Sequence, residues 1–303
     1  MEGRQIERTR DPLRVATPLS AFEEVSVARS SLLATSLVHR PRRPWSAGFG
    51  VAAAAVAGAL VAAGAAAQAR PAPLPFAPGE ACTYRGSGPL GRMGSGTFAV
   101  ERDEAAGAGS WLLRFDFRGR VGLLRVENHT RSWFDPAETA SVRFTKNERS
   151  PFSTRREDVH MDRAARRWTG MKDEPGGAMP TGAPLDELSF IFFLRTLRLD
   201  DGDHYSFTRH YDTSRNPIVV RVLGRGTVKV PAGRFRTVQV EMRVRDPHQY
   251  GGEGVILIHF TDDAHHVPLR IDSRIPRAGH VTLALEALSA TCGAAPPATH
   301  AVD

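Results

Sequence analysis

From Phe76 onward, apolar and polar residues alternate with a period of two in short runs separated by turn residues. In RFRTVQVEMRVRD, Val238, Val240, Met242 and Val244 fall on one side and Thr237, Gln239, Glu241 and Arg243 on the other. One face is dry and one wet, the mark of a half-buried antiparallel strand. HVTLALEALSA sets Val281, Leu283 and Leu285 against Thr282, Ala284 and Glu286, and WLLRFDFRGR sets Leu113, Phe115 and Phe117 against Arg114 and Asp116. Asp135-Pro136, Pro175-Gly176-Gly177, Pro231-Ala232-Gly233 and Gly251-Gly252 supply the turns. In PAGRF, Pro presets the first turn position and Gly gives a permissive φ, which predicts a hairpin joining Val228 and Val230 to Phe235 and Val238.

One stretch breaks the period. In LDELSFIFFLRTLRLDDG (185–202), Asp186 can cap a helix and Glu187 suits its first turn, and no Gly or Pro follows until Gly202. On a helical wheel Phe190, Phe193, Leu194 and Leu197 make one stripe, while Leu188, Ile191, Phe192 and Leu199 fall elsewhere. A helix apolar nearly all round is buried on several sides. It is too short to span a bilayer and carries Arg195 and Arg198. A twisted sheet of ten or more strands curls, and a curled sheet needs something in its concavity. The expected fold is therefore mainly β: a half-barrel or open barrel with one buried helix near 186–199. Phe190, Phe193, Leu194, Arg195 and Leu197 are the candidate walls of a ligand pocket, because a guanidinium carried into an apolar concavity must meet a carboxylate, a carbonyl or an anionic head group.

The first seventy residues change the count of what folds. HRPRRPWSAGFGVAAAAVAGALVAAGAAAQARPAP has a basic flank, an Ala/Val/Leu/Gly run over 47–66 and A-x-A sites, the layout of a Sec-type export signal over 39–69 cut after Ala67 or Ala69. The same run retained as an anchor helix is the alternative. Residues 1–38 lie upstream of the signal without periodicity, as an unstructured extension or the product of a start set too early. The expected folded part is a single domain over 70–292 with a loose tail over 293–303, periplasmic or secreted.

Charge changes this picture little. The formal charge of +7 loses eight Arg and five acidic residues with 1–69, leaving +4. No basic cluster interleaves with aromatics, so nucleic acid is not an expected partner. The cysteines, Cys82 and Cys292, sit near the two ends of the exported part, where an oxidising compartment lets them pair.

The order of FAPGEACTYRG, LDELSFIFFLRTLRLDDGDHYSF, GRGTVKVPAGRFRTVQVE and FTDDAHHVPLRIDSRIPRAGHVTLALEAL resembles the bacterial exported domain-of-unknown-function family 3108. The resemblance implies a periplasmic, mostly antiparallel β domain. The family has no established activity and so hands over no catalytic residues.

The densest set of potential metal ligands is TDDAHHVP, with Asp262, Asp263, His265 and His266, and His259 and His280 nearby in sequence. Adjacent residues on a strand face opposite ways, so a solvated turn before Pro268 is the plainer reading and Asp263, His265 and His266 stay weak metal candidates. There is no Gly-x-Ser-x-Gly elbow. The expectation is a non-enzymatic binding or chaperone-like module for a lipid, acyl chain or peptide, with no cofactor, meeting the membrane only through its signal segment. A metal-dependent hydrolase built on TDDAHH and an envelope-assembly partner without a pocket are the alternatives.

Overall fold

The computed structural model describes residues 73–103, 109–151, 154–171, 176–246, 252–275, 279–287 and 292–293. The expected N-terminal extension, the export signal with its cleavage sites and the tail beyond Gly293 lie outside them. The strands are β1 (Ala81–Gly88), β2 (Gly91–Arg102), β3 (Trp111–Val121), β4 (Leu124–Asp135), β5 (Ala140–Arg149), β6 (Thr154–Asp162), β7 (Arg167–Thr169) and β8 (Gly177–Ala178). After helix α1 (Glu187–Leu194) come β9 (His204–Phe207), β10 (Ile218–Val230), β11 (Gly233–Asp246), β12 (Gly252–Thr261), β13 (Pro268–Ile275) and β14 (Gly279–Ala287). The fold is mainly β, as the alternation predicts.

All fourteen strands belong to one antiparallel sheet in the order β8-β7-β6-β5-β4-β3-β2-β1-β14-β13-β12-β11-β10-β9. Each half is a meander, and the pairing of β1 with β14 joins them. The sheet curls without closing into a barrel. Register shifts in β1, β10, β4 and β12 add local twist of the kind that bulges give a curling sheet. Its two free edges are the short strands β8 and β9, which leave little unpaired backbone exposed. The chain between them bridges the gap: Pro184 O accepts from Ser141 N, Leu185 N donates to Arg209 O, and Tyr211 N donates to Leu185 O.

Helix α1 lies on this linking segment and fills much of the concavity. Asp186 caps it, accepting from Leu188 N and Ser189 N, while Ser189 Oγ accepts from Asp186 N to complete a capping box. The helix is shorter than the expected 186–199. It ends at Leu194, and Arg195 to Leu197 continue as a tight turn whose N–H groups reach back to Phe192, Phe193 and Leu194 carbonyls. Leu188, Phe190, Phe192, Phe193 and Leu194 are all buried, against Phe76, Phe98, Val220, Val240, Ile258 and Leu285 of the surrounding elements. Each such side chain contributes about 1.5–3 kcal/mol.

The register defines two ends of the sheet. One carries the turns β1–β2, β3–β4, β11–β12 and β13–β14, next to the pairs Gly88↔Gly91, Val121↔Leu124, Asp246↔Gly252 and Ile275↔Gly279. The other carries the turns β4–β5, β10–β11 and β12–β13, next to Asp135↔Ala140 and Val230↔Gly233. The PAGRF hairpin is the β10–β11 turn, with Val228 opposite Phe235.

Candidate functional site

At the second end the helix terminus is sealed. Arg195, 2% exposed, donates from Nη1 to Glu80 Oε1 at 2.5 Å, from Nη2 to Glu80 Oε2 and Pro75 O at 3.0 Å each, and from Nε to His265 O at 3.0 Å. The rings of Phe76 and Phe192 lie 5.2 and 5.7 Å from its guanidinium carbon. The buried charge is thus paired and four of its five N–H groups are used, the condition under which an ion pair survives burial. Cys82 at the start of β1 is bonded to Cys292, with Cα atoms 5.0 Å apart, tying the chain past β14 to the same end.

At the first end the concavity is not filled. A cavity of about 220 Å³ lies between the two halves of the sheet and the first turns of α1. Phe98 and Phe115 form one apolar wall, Met242, Val244, Ile256, Ile271 and Leu283 the other, and Leu188, Phe190 and Ile191 the helical side. Phe115, Ile191, Val244, Ile256 and Leu283 are only partly buried although they pack on the core. Apolar surface of this kind, left uncovered by protein in a concave place, is what a ligand tail can cover.

Ile218 completes the apolar lining, and the rest is polar: Asn128, Thr130, Lys146, Glu187, His210, Arg215, Arg245 and Asp246. Glu187 is the hub. Lys146 Nζ lies 2.6 Å from its Oε2, Arg215 Nη1 2.8 Å from Oε1, and Arg155 Nη2 3.5 Å from Oε1. Arg155 and Arg215 both reach Asp246 at 3.3 Å, and Arg155 also pairs with Glu157. Burial alone would raise the Glu187 carboxyl, but Lys146, Arg155 and Arg215 more than reverse it and hold it well below the usual carboxylate range. Burial would likewise lower Lys146, and Glu187 with Glu148 overcome this and raise it. Glu157 is pushed up by burial and by Glu187, and Asp186 by burial, partly offset by the Ser132 hydroxyl at 2.5 Å. The cluster joins β5, β6, α1, the 3-10 turn at Thr213–Arg215 and β11, and so ties both halves of the sheet to the start of the helix.

Two polar groups of this lining are not used up. His210, 3% exposed, accepts the Asp212 N–H on Nδ1 at 3.1 Å, which places the proton of the neutral ring on Nε2. That Nε2 is buried and has no hydrogen-bond partner among the described residues. Burial, assisted by the charge of Arg215, lowers the ring's pKa to about 4, so it is neutral at physiological pH. Arg245 is exposed at the last turn of β11 and makes no ion pair among the described residues. The arrangement can therefore bind a group that accepts hydrogen bonds beside an apolar tail.

Of the residues singled out from sequence, Phe190 lines the cavity. Phe193 packs on Phe190 and Phe207 under the Arg209 guanidinium, Leu194 is fully buried core, Leu197 packs half-buried on the core, and Arg195 sits at the sealed end. The TDDAHH segment forms the β12–β13 turn. Asp263 Oδ1 accepts from His265 N, His266 N and Thr261 Oγ1, and His266 Nδ1 lies 3.0 Å from Arg195 O. Asp262 pairs with Arg225 and Arg236. Among the described residues no group of three or more His, Cys, Asp or Glu side chains is placed to hold a metal. Lys146, His210, Arg215, Arg245 and Asp246 were not legible as a site, because four separate strands and loops bring them together.

Among solved structures, a β-barrel-like protein of the domain of unknown function DUF1849 from Brucella abortus is similar at 9% identity and a TM-score of 0.48, over 69% of this chain and 96% of that one. A protein from Parabacteroides distasonis is similar at 11% identity and 0.30, over 71% and 98%. One from Bacteroides fragilis with a YmcC-like fold is similar at 13% and 0.29, over 71% and 98%. A search of the curated proteins gives no match. The family model for the protein of unknown function DUF3108 matches residues 83–286, from β1 to β14, and the chain belongs to that family.

Proposed function

We propose that this chain is an exported, non-enzymatic binding module that holds a small amphiphile, its tail in the cavity beside α1 and its head at the Lys146–Glu187–Arg215 end. The cavity carries the reading. At about 220 Å³ it falls below the range of roughly 300–1,000 Å³ common for drug-sized ligands, so it suits a short acyl chain or the end of a longer one. The unused Nε2–H of His210 and the unpaired Arg245 favour a head that accepts hydrogen bonds, such as a carboxyl or an ester. The export signal read from the sequence and the Cys82–Cys292 bond support an extracytoplasmic site of action.

Displacement of a naphthalene-based fluorescent probe by octanoate and dodecanoate tests this reading. Wild-type protein should show saturable displacement, and Ile256→Trp, which fills the cavity, should bind at least about tenfold more weakly, a loss of about 1.4 kcal/mol. Wild type that takes up neither probe nor fatty acid, or an Ile256→Trp protein that binds as wild type does, would refute it.

A further inference from the structure

The cavity end of the sheet also carries the three most exposed large apolar side chains among the described residues: Leu123 at 92%, Leu90 at 81% and Leu124 at 57%. Leu90 is in the β1–β2 turn, and Leu123 and Leu124 are at the β3–β4 turn. Gly94 pairs with Gly119, and the turn glycines Gly91 and Gly122 each lie three residues beyond that pair, so the two tips reach the same level. With two strand spacings between them, the tips stand about 10 Å apart. The turns do not need leucine, because Gly91 at φ +96° and Gly122 at φ +60° supply their left-handed positions. At such exposure Leu123 and Leu90 pack on almost nothing within the protein, and Leu124 keeps more than half of its surface in solvent. Among the described residues the β4–β5, β12–β13 and β10–β11 turns at the other end have no such residues: Asp135 and Asp263 accept backbone N–H groups in the first two, and Pro231-Ala232 closes the third.

The same end is cationic. Arg118 and Arg120 on β3, Arg149 at the end of β5 and Arg274 on β13 are exposed and form no ion pair among the described residues. The carboxylates nearby are mostly taken. Glu127 lies 3.8 Å from Arg125, Glu148 3.5 Å from Lys146, and Glu286 holds Arg85 and Arg92, which leaves Glu253.

We propose that this end is a docking surface for an anionic lipid bilayer, with Leu90, Leu123 and Leu124 entering the headgroup boundary and the surrounding arginines meeting lipid phosphates. Protruding apolar tips ringed by unpaired cations match an interface that is apolar just below a negatively charged surface. The cavity residues lie on the middle and same-side halves of their strands, Val244 to Asp246 being the last three residues of β11, so a docked molecule would present its binding site to the membrane. The proposal goes beyond the cavity reading and does not depend on it.

Flotation with vesicles tests it, using full-length protein as its host processes it, so that anything before residue 73 is common to all arms. Wild type should float with vesicles of one part phosphatidylglycerol to three parts phosphatidylcholine at low salt, and less at high salt. Leu90→Ser/Leu123→Ser/Leu124→Ser, all at exposed positions, should bind at least about tenfold more weakly, and each of Arg118→Gln and Arg149→Gln about fivefold more weakly on the anionic vesicles alone. Ile256→Trp should float like wild type whichever way the fatty-acid titration goes, which separates a failure here from a failure of the cavity reading. Wild type that stays off the anionic vesicles, or a leucine variant that floats equally well, would overturn the assignment. So would leucine-dependent self-association in place of flotation, which would make the tips an interface between two copies of the chain.

Discussion

The two ends of helix α1 solve the same problem differently. Both bring charge into an apolar concavity. At the C-terminal end a single pair, Arg195 with Glu80, has its donors matched to a carboxylate and two carbonyls, is flanked by two phenylalanine rings, and sits beside a disulfide. At the N-terminal end six ionised groups share partners around Glu187, the His210 Nε2–H has no partner among the described residues, and the apolar walls stand partly uncovered. Fully matched charge closes a core, whereas an oversupplied and incompletely matched set keeps a place open for something polar to join it.

The largest effect should come from cutting the covalent tie at the sealed end. The bond spans 210 residues of sequence, and chain entropy assigns a loop of that size about 5 kcal/mol. Urea unfolding of Cys82→Ser/Cys292→Ser should show most of that loss; an unchanged midpoint would mean that the seal rests on packing alone. Next, Glu80→Ala strands the buried Arg195 and should cost about 3–5 kcal/mol, while the double change Glu80→Leu/Arg195→Met should recover most of it, since an apolar replacement removes both burial penalties. If the double variant is no better than the single, the pair contributes more than matched charge.

A smaller effect sharpens the contrast from the open end. Burial, with Arg215, lowers the His210 pKa to about 4, against 6.5 for an ordinary histidine. The unfolded chain therefore takes up a proton first, so this contribution is intact above about pH 6.5 and is lost as the pH falls toward 4, by about 3 kcal/mol in all. Asp186 and Glu157, with raised pKa values, act in the opposite sense in the acid range. Melting temperatures measured between pH 7 and 4.5 should fall for wild type and fall less for His210→Gln; parallel curves would dissociate the histidine from the pH dependence. The smallest stability change belongs to Ile256→Trp, which adds atoms where space exists and should shift unfolding by less than about 1.5 kcal/mol while removing fatty-acid binding.

Much of the fold was legible because it is written locally. The period-two runs became strands, Pro231-Ala232-Gly233 became a hairpin turn, and Asp186 became the helix cap. The capping Asp186 needed only its own neighbours, three residues away. Of the stripe Phe190, Phe193, Leu194 and Leu197, Phe190 lines the cavity and the other three pack into the core, and the wheel does not separate them for a physical reason: on a helix apolar all round, nothing local tells which side meets a wall and which meets a space. Arg195 could be foreseen to need a partner, but Glu80, 115 positions earlier, became that partner only when β1 met the helix end.

Local patterning along the chain is enough for an antiparallel β domain with one buried, capped helix, since strand alternation, turn chemistry and capping act over a few residues. The assembled sheet is what makes Glu187 both a first-turn residue and an ionic hub, leaves His210 with an N–H that has no partner among the described residues, and sets the cavity toward the leucine-tipped end. Those facts depend on register and on the curl of a fourteen-stranded sheet, through which β5, β6, β11 and the 213–215 turn converge on one carboxylate. Where distant segments meet is set by the sum of many bulges and twists, and no single stretch of the chain carries it.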